Sequence, residues 1–149
     1  MIAPGNLRAT QDNEGYAQLF DYWVSNTYQL RYTGGMVPDV NQLLVKGKGV
    51  FVNVASKNTK SKLRMLYEVA PMGFLVEKVR IITLSLYTIH INIICLYICV
   101  HIQAGGKTSE GDKSVLDVPI TQTEQVSQVA FGSKGEVARF EQMVGKKYV

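Results

Sequence analysis

The sequence predicts an α/β fold on three observations. Apolar residues recur at helical spacing over 16–24 and again near the C-terminus, while 50–55 is almost wholly apolar or β-branched, as a strand buried on both faces requires. Helix-like and strand-like stretches alternate along the chain, separated by glycine and asparagine punctuation. With 149 residues, 46% of them hydrophobic, there is material for a real core.

Taken in order, Asp12-Asn13-Glu14-Gly15 opens the first helix, with Asp12 or Asn13 as its N-cap. Tyr16, Leu19, Phe20, Trp23 and Val24 form its apolar stripe. A short strand is predicted over 28–32, running into Gly34-Gly35. Pro38-Asp39 starts a helix over 39–45, stopped by Lys46-Gly47-Lys48-Gly49. After the strand at 50–55 and a polar loop at 56–61, residues 62–68 alternate charge and bulk as a strand end with Glu68 at its mouth. Residues 69–78 read as a helix that tolerates Pro71 only in its first turn. Strands at 114–118 and 128–131 and a last helix at 135–143, built on Val137, Phe140 and Val144, complete the reading.

The chemistry concentrates in Arg31-Tyr32-Thr33-Gly34-Gly35-Met36-Val37-Pro38-Asp39. Paired glycines let backbone approach a ligand, Arg31 brings a planar fork suited to phosphate, and a helix start favours an anion. The net charge of +4 is densest from Lys46 through Lys48, Lys57, Lys60 and Lys62 to Arg64, a cluster that suits a phosphorylated small molecule. No aromatic-and-basic interleaving or recognition-helix pattern accompanies it, so no nucleic-acid partner is expected. Cys95 and Cys99 with His90 and His101 lack zinc-ligand spacing and read as apolar filling. Gly105-Gly106-Lys107-Thr108 imitates the end of a P-loop, but His101 stands where the motif's first glycine belongs. The N-terminal residues have neither a secretory pattern nor a transit peptide's length.

Three words, Asp12-Asn13-Glu14-Gly15-Tyr16, Arg31-Tyr32-Thr33-Gly34-Gly35-Met36 and Lys62-Leu63-Arg64-Met65-Leu66-Tyr67-Glu68, together resemble the C-terminal half of the fructose-1,6-/sedoheptulose-1,7-bisphosphatase family. Longer stretches (Gly5 to Thr10, Leu30 to Gln42, Phe131 to Lys134) are more similar to its sedoheptulose branch. The resemblance implies the C-terminal half of a layered α/β/α sugar-phosphatase fold over 1–78 and 104–149. It also implies that Asn13, Tyr16, Tyr32 and Lys62 bind the non-reacting phosphate of a sugar bisphosphate. By the same resemblance Arg31 reaches a neighbouring subunit's site in a homo-oligomer, Gly34, Gly35 and Met36 line the sugar, and Glu68 is a ligand for Mg²⁺. Asn53 stands where the family often has a phenol. The family's Asp-Gly-Ser-Ser motif and other metal carboxylates are not found here, so no catalytic residue is assigned and the chain is expected to be inactive alone. Chloroplast stroma is the implied compartment, with the cytoplasm as alternative.

The resemblance is interrupted by an apolar, helix-like insert at 79–103. No charged residue occurs from Ile81 to Gly106, and twelve of the residues from Ile81 to Ile102 are Ile, Leu or Val. That is long enough to span a bilayer, so a membrane partner follows only if 81–102 inserts. The alternative function is then a non-catalytic, membrane-anchored sugar-phosphate-binding protein. A translated intron fits equally: the insert starts with a Val codon and ends with a Gln codon, and its removal joins Glu77-Lys78 to the helix-stopping Ala104-Gly105-Gly106.

Overall fold

The structure, a computed structural model, describes residues 1–78 and 105–145. The insert, its candidate span, and Cys95, Cys99, His90 and His101 lie outside the described residues. Strands β1 (Ile2–Gly5), β2 (Val50–Asn53), β3 (Lys107–Ser109) and β4 (Val129–Gly132) form one mixed sheet in the order β1-β2-β4-β3. β1 and β2 are parallel, and β4 runs antiparallel to both β2 and β3.

Side chains alternate across this sheet with the period of two that a pleated strand imposes. Ile2, Val50, Val52 and Ala130 point to one side and are covered by α1 (Glu14–Ser25) and α4 (Lys134–Met143). Ala3, Phe51, Val129 and Phe131 point to the other, where α2 (Met36–Lys46) and α3 (Ala70–Lys78) cover them. Phe51 and Phe131 are direct cross-strand partners with stacked rings 6.1 Å apart. The result is an α/β fold, as the alternating pattern predicts, in the three-layer α/β/α arrangement that the family resemblance implies.

Several boundaries differ from expectation, each for a local reason. The strand expected at 28–32 is reduced to one parallel bridge, Leu30 to Ile2, flanked by Ile2 N to Gln29 O and Arg31 N to Ile2 O bonds. Helix α2 starts at Met36, three residues before Asp39, because Gly35 takes an extended conformation and serves as N-cap. Pro38 then falls in the first turn, where its missing N–H costs nothing. Residues 62–68 are not a strand end: Arg64 makes an isolated bridge to Val126, and Met65–Val69 is a π-helix leading into α3. Pro71 cannot donate one turn back, and the widened turn before it, with Val69 N bonded to Arg64 O, absorbs that break. The strand expected at 114–118 is a 3₁₀ turn, Val115–Asp117, whose N-cap Ser114 accepts from Leu116 N. Val24, placed on the apolar stripe by its spacing, is exposed. β1 and the three-residue β3 had no strand reading, being too short to show alternation.

Candidate functional site

In α/β sheets, ligands gather outside the carboxyl ends of the parallel strands. Here that end is marked by the pair Gly5 and Asn53. Three short polar side chains secure it. Asn6, in the left-handed region at φ 53°, donates from Nδ2 to Val54 O at 2.6 Å. Asp12 Oδ2 accepts from Asn58 N at 2.9 Å, and Asn13 Nδ2 donates to Ala55 O at 3.2 Å. The Ser56 hydroxyl and then the Asn58 amide hold the Asp12 carboxyl below its ordinary range. Together they fasten the start of α1 to the loop leaving β2. Asp12, one of the two N-cap candidates, leaves that role to Asn13 and ties down the β2 exit loop instead; Asn6 was not singled out from the sequence, although Asn is the non-glycine residue best suited to a left-handed loop position.

The predicted Asn13 is the N-cap of α1, its Oδ1 accepting from Tyr16 N at 3.1 Å. Tyr16 donates its hydroxyl to Gly5 O at 2.9 Å, and burial, with Tyr32 as a second contributor, pushes its phenol well above the ordinary value. Both side chains are buried with intrachain partners, so they form the inner layer of this wall and do not face solvent.

The segment carrying Arg31 and Tyr32 leaves its bridge to Ile2 parallel to β1, and Tyr32 lies near enough to act on Tyr16 behind Gly5. Arg31 and Tyr32 are exposed. Gly34 has φ 90°, and the Thr33 N–H donates to both oxygens of the buried Asp39 carboxylate, at 2.9 and 3.2 Å. Asp39, expected only to start a helix, is the residue that shapes the glycine turn. Met36, half-buried, is the first residue of α2.

The third word arrives from the β4 side. β4 is antiparallel to β2, so its start at Val129 lies beside Asn53 at the same sheet end. Ser127 N donates to Leu63 O at 3.0 Å and the Ser61 hydroxyl donates to Ser127 O, which holds 61–63 there. Lys62 is exposed; like Arg31, it makes no ion pair or side-chain hydrogen bond among the described residues. Glu68 lies in the π-helix, and its Oε2 accepts from Arg64 N at 2.6 Å. Among the described residues no three His, Cys, Asp or Glu side chains are grouped to hold a metal. A hard cation such as Mg²⁺ takes several oxygen ligands, so Glu68 supplies at most one of them. The residues present do not fit a complete metal site.

The P-loop imitation is also explained. Lys107 and Thr108 belong to β3, with Lys107 paired to Glu141 and the Thr108 hydroxyl bonded to Glu77.

Comparison with known proteins agrees with this arrangement. The family model described as "Fructose-1-6-bisphosphatase, C-terminal domain" matches residues 1–80 and 95–145. The chain is 49% identical over 141 residues to the chloroplastic sedoheptulose-1,7-bisphosphatase of Spinacia oleracea, covering 95% of this chain and 30% of that protein. It is 34% identical over 142 residues to a class 1 fructose-1,6-bisphosphatase of Trichlorobacter lovleyi, covering 93% and 36%. Among solved structures, a sedoheptulose-1,7 bisphosphatase of Toxoplasma gondii superposes with a TM-score of 0.77 at 41% identity, covering 95% of this chain and 38% of the other. Leishmania major fructose-1,6-bisphosphatase in its T-state gives 0.71 at 28% identity, covering 95% and 38%. The chain thus spans about a third of the length of the relatives it matches. A family model covering most of the chain, on a sheet whose carboxyl end collects the words that first suggested it, places this protein in the fructose-1,6-bisphosphatase family, as a match to its C-terminal domain.

Proposed function

We propose that this chain provides the sugar-phosphate wall of a Mg²⁺-dependent sugar-bisphosphate phosphatase that hydrolyses a phosphate monoester of sedoheptulose 1,7-bisphosphate or fructose 1,6-bisphosphate. The observation that carries this reading is that Tyr32, close enough to raise the Tyr16 phenol that bonds Gly5 O, and Lys62, beside the Leu63 to Ser127 bond, both belong to the carboxyl end of β1 and β2, and that the Arg31 to Met36 segment runs parallel to β1 from its bridge at Leu30. A phosphomonoester carries nearly two negative charges, and the two exposed cations with the Tyr32 hydroxyl are suitable donors. Asn13 and Tyr16 take part from behind, fixing the start of α1 and the β2 exit loop. Met36 and the glycine backbone line the sugar. In an assembled homo-oligomer the exposed Arg31 serves the neighbouring copy.

Titration calorimetry with a ketose bisphosphate tests the wall. Each charge-assisted hydrogen bond contributes about 1.5 kcal/mol or more, so Lys62→Ala and Arg31→Ala should each weaken binding by roughly tenfold. Unchanged affinity in both variants would sink the reading.

Hydrolysis needs a complete metal site, and Glu68 is one carboxylate of it at most. The reading therefore assigns this chain alone no turnover: with Mg²⁺ present, phosphate release should not rise above that of Glu68→Gln. Release that Glu68→Gln abolishes would overturn this. The spinach, wheat and Chlamydomonas relatives are named chloroplastic, which supports the chloroplast stroma as the compartment. Microscopy of a fluorescent fusion tests that; signal outside plastids would contradict it.

A further inference from the structure

A cavity of about 460 Å³ opens at the other end of the sheet from the sugar-phosphate wall, lined by Glu77, Lys78, Gly106, Lys107, Lys134 and Ala138. Lys78 ends α3, Lys107 starts β3 opposite Gly132, and Lys134 starts α4 with Ala138 one turn on. Gly132 closes β4, whose first residue Val129 lies beside Asn53 at the wall, so about 10 Å of strand separates the two places. Three ammonium groups gathered in one concavity repel one another unless something negative joins them. Lys107 has Glu141 as its partner. Lys78 and Lys134 are exposed and make no ion pair or side-chain hydrogen bond among the described residues. Glu77, half-buried in the wall of the cavity, already accepts from the Ser114 and Thr108 hydroxyls through Oε1. Ser133 gives α4 no side-chain cap, so the positive end of that helix adds to the lysines.

We propose that this cavity is a second anion site, which binds a small phosphomonoester carrying hydroxyl groups. Its volume lies in the range of small-molecule sites and is larger than a bare phosphate requires. Lys78 and Lys134 supply two free positive charges for the phosphate dianion. The carboxylate in the lining selects the rest of the ligand: Glu77 repels a bare anion, but its second oxygen accepts from a hydroxyl on the organic part. The site shares no residue with the wall at the carboxyl end of β1 and β2, so the inference is independent of whether that wall binds a sugar phosphate. In the sequence the three lysines are scattered over 57 positions, from Lys78 to Lys134, and Lys107 stands out only through its P-loop imitation. Strand pairing between β3 and β4 is what brings Lys107 and Lys134 together.

The test is titration calorimetry of glycerol 3-phosphate into the full chain carrying Arg31→Ala and Lys62→Ala, at fixed ionic strength, which takes the wall out of the measurement. Saturable one-site binding is expected. Adding Lys78→Gln with Lys134→Gln should weaken it by roughly tenfold or more, since two charge-assisted contacts are lost. Lys57→Gln with Lys60→Gln removes the same charge from the loop leaving β2 and should leave the affinity unchanged. Inorganic phosphate should bind less tightly than glycerol 3-phosphate. All four lysines are exposed, so circular dichroism of each variant should match that of its parent. Absence of saturable heat in the wall-disabled chain would overturn the proposal, as would equal weakening by the two lysine pairs. Inorganic phosphate binding as tightly as glycerol 3-phosphate would also overturn it, by assigning the cavity to a free anion.

Discussion

Gly34 and Gly35 make different demands on a side chain. At Gly34, φ is 90° and nothing lies within 4 Å of an added Cβ, so the obstacle to alanine is purely conformational, about 1 kcal/mol or more. Gly34→Ala should therefore lower the urea midpoint, and it should loosen the Thr33 to Asp39 contact on which the turn depends. Asn13 raises a different question, because its amide is engaged inside the fold. Asn13→Ala removes the cap of α1 and strands the buried Ala55 carbonyl, a loss of about 1–3 kcal/mol in urea unfolding. Exposed Lys62→Ala should stay within about 0.5 kcal/mol of wild type. If Asn13→Ala proved as neutral as Lys62→Ala, the capping role would be wrong. The words naming Asn13, Tyr16, Arg31 and Lys62 were legible in the sequence because each is a distinctive cluster of types. Which of them face solvent was not legible, since that depends on the Gly5 and Ala55 carbonyls, 11 and 42 residues away along the chain.

At the level of elements, α1 and α4 are fastened by Glu136. Its carboxylate accepts from Trp23 Nε1 and the Tyr28 hydroxyl, both at 2.8 Å, and pairs with Arg139, whose guanidinium lies 4.1 Å from the Tyr22 ring centroid. Burial alone would raise the Glu136 pKa, but the hydrogen bonds from Trp23, Tyr28 and Arg139 outweigh it and hold the group below its ordinary 4.5. A depressed carboxylate contributes stability that is present above its unfolded value and lost as pH falls through the folded one. The same contact acts in reverse on Tyr28: the Glu136 acceptor, with burial behind it, pushes the phenol to about 12 from 10. That contribution is present below pH 10 and fades as pH rises towards 12. Glu136→Gln should thus cost about 2–3 kcal/mol near neutrality and shift the phenolate absorbance of Tyr28 towards its ordinary titration. An unchanged acid limb in the variant would dissociate Glu136 from that limb. The periodicity of α1 and the all-apolar β2 made these elements readable. β3 at three residues and the π-helix carry no periodic signal, and their form is set by neighbours, Ala130 to Gly132 for one and Gln125 for the other.

For the molecule as a whole, the question is whether the fold needs residues 79–103, of which the family model matches 79–80 and 95–103. The described residues on either side of it already meet. A Cβ placed on Gly106 would lie 2.9 Å from Val76 O, so the returning chain passes directly over the last turn of α3. Glu77 Oε1 accepts from the Ser114 hydroxyl at 2.5 Å and from Thr108, joining the end of α3 to β3 and the turn beyond it. A link from Lys78 to Ala104 therefore closes a gap whose two sides are held in register by other contacts. Because the closure entropy of a loop rises only slowly with its length, shortening this one should shift stability by about 1 kcal/mol or less. Meanwhile the deletion removes a run of Ile and Tyr that is prone to edge-to-edge association. We expect a chain lacking 79–103 to keep the wild-type circular dichroism, unfold within a few degrees of wild type and stay soluble to higher concentration. A deletion variant that fails to fold, while the full chain folds, would make the insert an integral part of the domain and would end both the intron and the membrane-span readings.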